Sequence, residues 1–182
     1  MKNLLLITIL FCSTLSLAQI TFEKGYYISN SGDRTACFIK NIDWRNNPKE
    51  FEYKIKAEDS QSKKETIASI QEFGIDNVSK YKRFKVNIER SGSELNYLSK
   101  SKNPIWKEET LFLKLLTEGD ANLYGFSEEN LNRYFYETKS TPLEQLVYFK
   151  YLSDEKNEVS DNYNEHIKIN NKFRQQLYNN VR

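Results

Sequence analysis

From Lys82 to Glu89 polar and apolar residues alternate: Phe84, Val86 and Ile88 share one face, and Arg83, Lys85, Asn87 and Glu89 the other. A period of two places successive side chains on opposite sides of an extended chain, so this segment reads as a strand with one face inward. Phe51-Glu52-Tyr53-Lys54-Ile55 repeats the pattern. Gly25 to Asn30 and Thr35 to Lys40 flank Ser31-Gly32-Asp33, whose glycine and aspartate accept the positive φ of a tight connection, which predicts a first hairpin. Thr110 to Thr117 carries Leu111, Leu113 and Leu115 on one face and Phe112 and Leu116 on the other, as expected of a central strand covered on both sides. Gly119-Asp120 and Ser127-Glu128-Glu129-Asn130 then turn the chain through Ala121 to Phe126 and Leu131 to Glu137, a three-stranded meander.

The pattern changes towards the C-terminus. Thr141-Pro142-Leu143-Glu144 combines an N-cap, a proline at the first helical position and a following glutamate, and Leu143, Leu146, Val147 and Tyr151 share a helical face. A helix is favoured there, although Val147 to Tyr151 has strong strand propensity and keeps a strand open for residues 143–152. Ile169, Phe173, Leu177 and Val181 recur every four residues and predict a helix over about 165–180, lying on the sheet. The expected fold is α+β and mainly β, an antiparallel sheet or sheets of about seven or eight strands in hairpins and a meander, covered by one or two C-terminal helices.

Lys2, the apolar run Leu4 to Phe11 and the small-residue ending Ser16-Leu17-Ala18 together read as a cleaved signal peptide over residues 1–18, leaving a single β-rich domain over 19–182. The apolar run falls short of the roughly 20 residues that a spanning helix needs, so no transmembrane segment is expected after cleavage. Phe11, before Cys12, lacks the small side chain that lipid attachment requires. The expectation is export to the periplasm or the exterior, with outer-membrane association open. The 27 basic and 25 acidic residues nearly balance, which argues against nucleic acid as a partner. Hydrophobic residues make up 38% of the chain and aromatics 14%, so the core rests on Tyr and Phe, residues suited to a pleated surface. Cys37 is the one cysteine left after cleavage, and no internal disulfide is expected.

Gly25-Tyr26-Tyr27-Ile28-Ser29-Asn30-Ser31-Gly32-Asp33, Trp44 and Asn47-Pro48, followed by Phe73-Gly74-Ile75, Arg133-Tyr134-Phe135-Tyr136, Glu144-Gln145-Leu146 and Phe173-Arg174-Gln175-Gln176-Leu177, resemble a group of uncharacterised exported proteins of Bacteroidetes, especially flavobacteria. Some members of that group continue into an outer-membrane β-barrel, which this sequence does not show. The resemblance implies an envelope location and carries over no catalytic residue. None of the six glycines opens a phosphate-binding G-x-x-x-x-G-K-[ST] loop.

Candidate chemistry is sparse. One histidine and one remaining cysteine cannot build a zinc site, and no cofactor is expected. Asp154, Glu155, Glu158 and Asp161 gather without the spacing or glycine of a calcium loop and read as a solvated acidic segment. His166 is placed at the core edge on the face of Ile169 and Phe173, rather than beside a nucleophile, and Cys37 in the core. Glu108-Glu109 and Glu128-Glu129 are adjacent pairs that point to opposite faces of a strand, so neither forms a catalytic couple by itself. Lys80, Lys82, Arg83, Lys85 and Arg90 read as the wet side of a strand before an anion-binding patch. Trp44, Trp106, Tyr124, Tyr134 and Tyr136 are the candidate contacts for a protein or glycan partner, since their rings offer rigid area with a polar edge. The expected function is a non-enzymatic binding or structural module of the envelope. A hydrolase with an unrecognised site and an accessory subunit of an outer-membrane assembly are the alternatives.

Overall fold

Ten strands pair antiparallel into one sheet in a computed structural model that describes residues 21–153 and 166–181. They are β1 (Thr21–Ser29), β2 (Arg34–Asn41), β3 (Glu50–Lys54), β4 (Lys63–Thr66), β5 (Ile70–Ile75), β6 (Ser79–Glu89), β7 (Trp106–Thr117), β8 (Ala121–Glu128), β9 (Leu131–Thr138) and β10 (Glu144–Gln145). Their order is β10-β9-β8-β7-β6-β5-β1-β2-β3-β4. The fold is therefore mainly β, as expected, but the sheet exceeds the seven or eight strands anticipated. The excess comes from β4 and β10, which are too brief to show alternation, and from β5, whose Phe73, Gly74 and Ile75 are buried in succession. β11 (Phe149–Leu152) and β12 (Ile167–Asn170) form a second, two-stranded sheet, and α1 (Phe173–Asn180) follows. No helix among the described residues is long and apolar enough to cross a membrane.

The first hairpin forms as read: Gly32 takes φ +90°, and its N–H donates to Ser29 O at 3.0 Å. Edge strand β4 returns to β5, beside β1, through only residues 67–69, which requires the first five strands to roll. Gly25 and Gly74 permit the close approach of β1 and β5, because a Cβ on Gly25 would stand 2.2 Å from Gly74 O. Inside the roll lies the first core, with Cys37, Ile39, Phe51, Tyr53, Ile70, Phe73, Ile75, Tyr81 and Phe112. Phe73 stacks between Phe51, at 4.2 Å, and Tyr81, at 5.0 Å, which is how a Phe/Tyr-rich composition fills a core.

β6 and β7 serve two cores with opposite faces. Tyr81 and Phe112 enter the first, whereas Val86, Ile88, Leu111 and Leu113 join Tyr124, Phe126 and Phe135 in the second, and Phe84 packs at its margin. The alternation of Phe84, Val86 and Ile88 is thus borne out, and so is the two-faced character of β7, although Leu116 is exposed. The second core needs β7 and β8 to part. They pair only where Lys114, Leu115 and Thr117 meet Gly125, Tyr124 and Leu123. Beyond that point Asn47 fills the gap: its Nδ2 donates to Phe112 O at 2.8 Å and Gly125 O at 2.9 Å, its Oδ1 accepts from Ser127 N at 2.9 Å, and its own N–H donates to Ser127 O at 2.8 Å. One side-chain amide replaces the missing stretch of ladder.

Two readings of the C-terminal third are corrected. Residues 143–152 form β10 and β11 rather than a helix: Glu144 and Gln145 pair with Tyr136 and Phe135, and Val147, Phe149 and Tyr151 bury a period-two face. Strand propensity outweighed the capping pattern because exposed partners stood ready on β9 and β12. The helix expected over about 165–180 is confined to Phe173–Asn180, and Ile167–Asn170 pairs with β11 instead. α1 buries no residue. It is held by amides: Gln176 donates to Glu144 Oε1 at 3.1 Å and Gln145 O at 3.0 Å and accepts from Val147 N at 2.9 Å, while Asn180 donates to Tyr136 Oη at 2.8 Å.

Candidate functional site

β10 hydrogen-bonds to β9 on one side, and Leu146 N continues this by donating to Tyr134 O at 2.8 Å. Its other side faces the end of β6, yet no backbone ladder joins the two. Side chains close this seam. Gln145 Oε1 accepts from Glu89 N at 2.9 Å, and Arg133 donates through Nε to Glu89 O at 2.8 Å and through Nη2 to Glu89 Oε2 at 2.7 Å and Ser91 O at 2.6 Å. The Glu89 carboxylate also accepts from Ser91 N, at 2.8 Å, and from the Ser91 hydroxyl. Burial lowers the Arg133 pKa against the opposing pull of Glu89, so the cation depends on its partner.

A groove of about 280 Å³ opens along the seam. Val86, Leu143 and Val147 supply apolar walls, Trp106 from the start of β7 supplies an indole that is 45% exposed, and Lys172 stands where β12 passes into α1. Gln145 lines the same groove at 2% exposure, and its Nε2 has no hydrogen-bond partner among the described residues. The orientation of that amide follows from its other end, because Oε1 is engaged by Glu89 N. A donor held below the surface without a partner is costly, and here it is sealed from solvent as well. The chemistry available is an exposed aromatic face beside apolar walls and the exposed polar side chains of Asn87 and Lys172. That set suits a ring with a face for stacking and oxygens at its edge.

The five aromatic candidates do not form one platform. Trp106 and Tyr134 are exposed, Tyr134 at 50%, whereas Tyr124 and Tyr136 are buried at 3% and 1%. Tyr124 donates to Glu137 Oε1 at 2.6 Å and Tyr136 to Glu144 Oε1 at 2.5 Å, so their polar edges are spent inside the protein. Trp44 is half-buried and packs edge-on to Phe73 at 5.7 Å and Tyr81 at 5.6 Å. Strand alternation separates Tyr134 from Phe135 and the second core, so only Trp106 faces the seam groove.

No family model, curated protein or solved structure matches this chain.

The other candidates fall into structural places. The basic series is divided among partners: Lys80 with Glu118, Lys85 with Glu108, Arg90 with Glu109 and Glu128, Arg83 with Ile67 O, and Lys82 5.2 Å from the Phe84 ring. Arg90 draws together one member of each acidic pair, Glu109 and Glu128, at 2.5 Å each. Its hydrogen bond leads in lowering the Glu109 pKa, and for Glu128 the bonds from Lys49 and Arg90 outweigh a burial that acts the other way. Both carboxyls are thereby kept from the protonated state that a general acid needs. Cys37 is buried, and burial, with a smaller contribution from Asp76, pushes its thiol up to about 11. His166 precedes β12, with its carbonyl accepting from Ser153 N at 2.8 Å. Asp154, Glu155, Glu158 and Asp161 lie outside the described residues. Sequence reasoning named Trp106 but missed Gln145, Glu89 and Arg133. Alternation put Glu89 on the wet face of β6, and nothing local marks that β9 and β10 cover it.

Proposed function

We propose that this chain is an exported, non-enzymatic binding module of the bacterial envelope that holds a glycan in the seam groove. The observation that carries this reading is the exposed Trp106 indole in one groove with the exposed polar side chains of Asn87 and Lys172. A sugar ring presents C–H groups to an aromatic face and oxygens at its edge, and so meets both demands. Hydrolysis would need a poised acid. The carboxyls with shifted acidity, Glu52, Glu109 and Glu128, are all shifted downward, and Glu144 beside the groove already accepts from Tyr136 and Gln176. The signal-like first eighteen residues and the resemblance to exported proteins support the envelope location.

Two measurements test the reading. Fractionation is expected to find the protein in the periplasm, the medium or the outer-membrane fraction. Glycan-array binding by the wild type is expected to fall about tenfold or more in Trp106→Ala, which removes an exposed ring and leaves the cores intact. A protein that binds no glycan, or one whose glycan binding survives that substitution, refutes the assignment.

A further inference from the structure

We infer that the seam groove takes an acidic sugar, one whose ring bears a carboxylate, in preference to its neutral counterpart. This rests on the glycan reading of the groove and names its substrate class. At about 280 Å³ the groove falls just below the range that houses a whole drug-sized ligand, so it holds one ring of a chain, and the charge must be carried on that ring. The register of β6 and β7 brings two of its side chains together. Glu89 stands opposite Trp106 and Asn87 opposite Glu108, so Asn87 and Trp106 are diagonal neighbours on one face, within reach of a single ligand. Lys172 arrives from another part of the chain, with its backbone pinned where β12 passes into α1. Its N–H donates to Asn170 Oδ1 at 3.1 Å, and Phe173 N beside it donates to Val147 O at 3.0 Å.

The charges around the groove decide what it prefers. Asn87, Trp106 and Lys172 are all exposed, and neither the Asn87 amide nor the Lys172 ammonium makes a hydrogen bond or ion pair among the described residues. The one carboxylate that lines the groove, Glu144, is met from within the protein: its Oε1 accepts from Tyr136 Oη at 2.5 Å and from Gln176 Nε2 at 3.1 Å. On the face shared by Asn87 and Trp106, Lys85 and Glu108 neutralise each other at 2.8 Å. What is left for a ligand is one ammonium without a counter-charge, one free amide and one indole. A carboxylate brings a single negative charge and two flat acceptor oxygens, which match one cation and one amide N–H, and such charge-assisted bonds are roughly twice as strong as neutral ones. A neutral ring offers Lys172 only hydroxyls. The apolar walls of Val86, Leu143 and Val147 keep water from part of the site and so strengthen the pair.

The test is isothermal titration of the full chain with cellotriose and with its uronic acid analogue, in which each hydroxymethyl group is oxidised to a carboxylate. The acidic trisaccharide is expected to bind about fivefold or more tightly at low salt, the worth of one partly exposed ion pair, and the margin is expected to shrink in about 0.5 M salt. Lys172→Met keeps the apolar stem and removes the charge, so it is expected to bring the two affinities together, with circular dichroism checking its fold. If that variant fails to fold, the preference of the wild type and its salt dependence decide. Equal affinities on the wild type, or a preference that persists unchanged in folded Lys172→Met, overturn the acidic-sugar inference and leave the glycan reading standing. If neither trisaccharide binds, a glycan array decides: binding of uronate chains of another linkage upholds the inference, and binding of neutral glycans alone overturns it. Failure of every glycan overturns both readings.

Discussion

Replacing Asn47 by alanine removes three hydrogen bonds that hold β7 and β8 to the loop between β2 and β3, and strands the groups they satisfied. Phe112 O and Gly125 O lose donors at 2.8 and 2.9 Å, and Ser127 N loses an acceptor at 2.9 Å. Each bond is worth about 1 kcal/mol net in a partly buried setting, so the expected loss is about 3 kcal/mol. For a chain of this size that corresponds to a fall in Tm of about 6–12 °C. Asn47→Asp is the sharper variant. It is nearly isosteric and keeps the acceptor for Ser127 N, but it turns an oxygen towards the Phe112 and Gly125 carbonyls, so it is expected to destabilise at least as much as alanine. Asn46→Ala is the control, because Asn46 makes one exposed bond, to Glu129 N at 3.0 Å, and its loss is expected to cost under about 1 kcal/mol. Urea unfolding of the four proteins measures these differences. Both Asn47 variants lying within about 0.5 kcal/mol of the wild type would refute the view that this amide stands in for missing ladder.

Arg133→Met leaves the Glu89 carboxylate buried without its cation and is expected to cost about 3–5 kcal/mol in urea unfolding, with much of this recovered in the double variant Glu89→Met/Arg133→Met; no recovery would show that the loss is one of packing. Glu109 and Glu128 have folded pKa values below the ordinary 4.5, so their contribution is fully present above pH 4.5 and is lost as pH falls through the lower folded values. Acid unfolding followed by tryptophan fluorescence should therefore be steeper in the wild type than in Arg90→Gln, and parallel curves would count against the Arg90 cluster. The Cys37 thiol, raised to about 11 and buried, should react with a disulfide reagent at pH 8 only as fast as the protein opens; labelling at the rate of a free peptide thiol contradicts its place in the core.

Much of the sheet was legible because half-buried strands write their faces into alternate positions. Phe84, Val86 and Ile88, the Gly32 hairpin and the β7–β9 meander all follow from that rule. Local rules failed where a segment's partner lay elsewhere. Thr141-Pro142-Leu143-Glu144 has a helix-start pattern, yet β9 offered it an open edge, and Ile169 joined β11 although it repeats in step with Phe173 and Leu177. Trp44, Asn47 and Pro48 stand in the sequence as a signature with no local reason. The reason is a loop that plugs the first core with Trp44 and bridges parted strands with Asn47.

Composition and periodicity, which act through neighbours in the chain, were enough to determine that this protein is antiparallel and mainly β, with an aromatic core and few groups suited to metal or nucleophilic chemistry. Which face of β6 covers which core was decided only when β6 met the other strands, and the burial of Glu89 beneath Arg133 only when it met β9, 44 residues on. The groove belongs to that second class. Trp106 and Gln145 share it because the sheet rolls until β10 returns to β6, where side chains rather than backbone pairing close the seam.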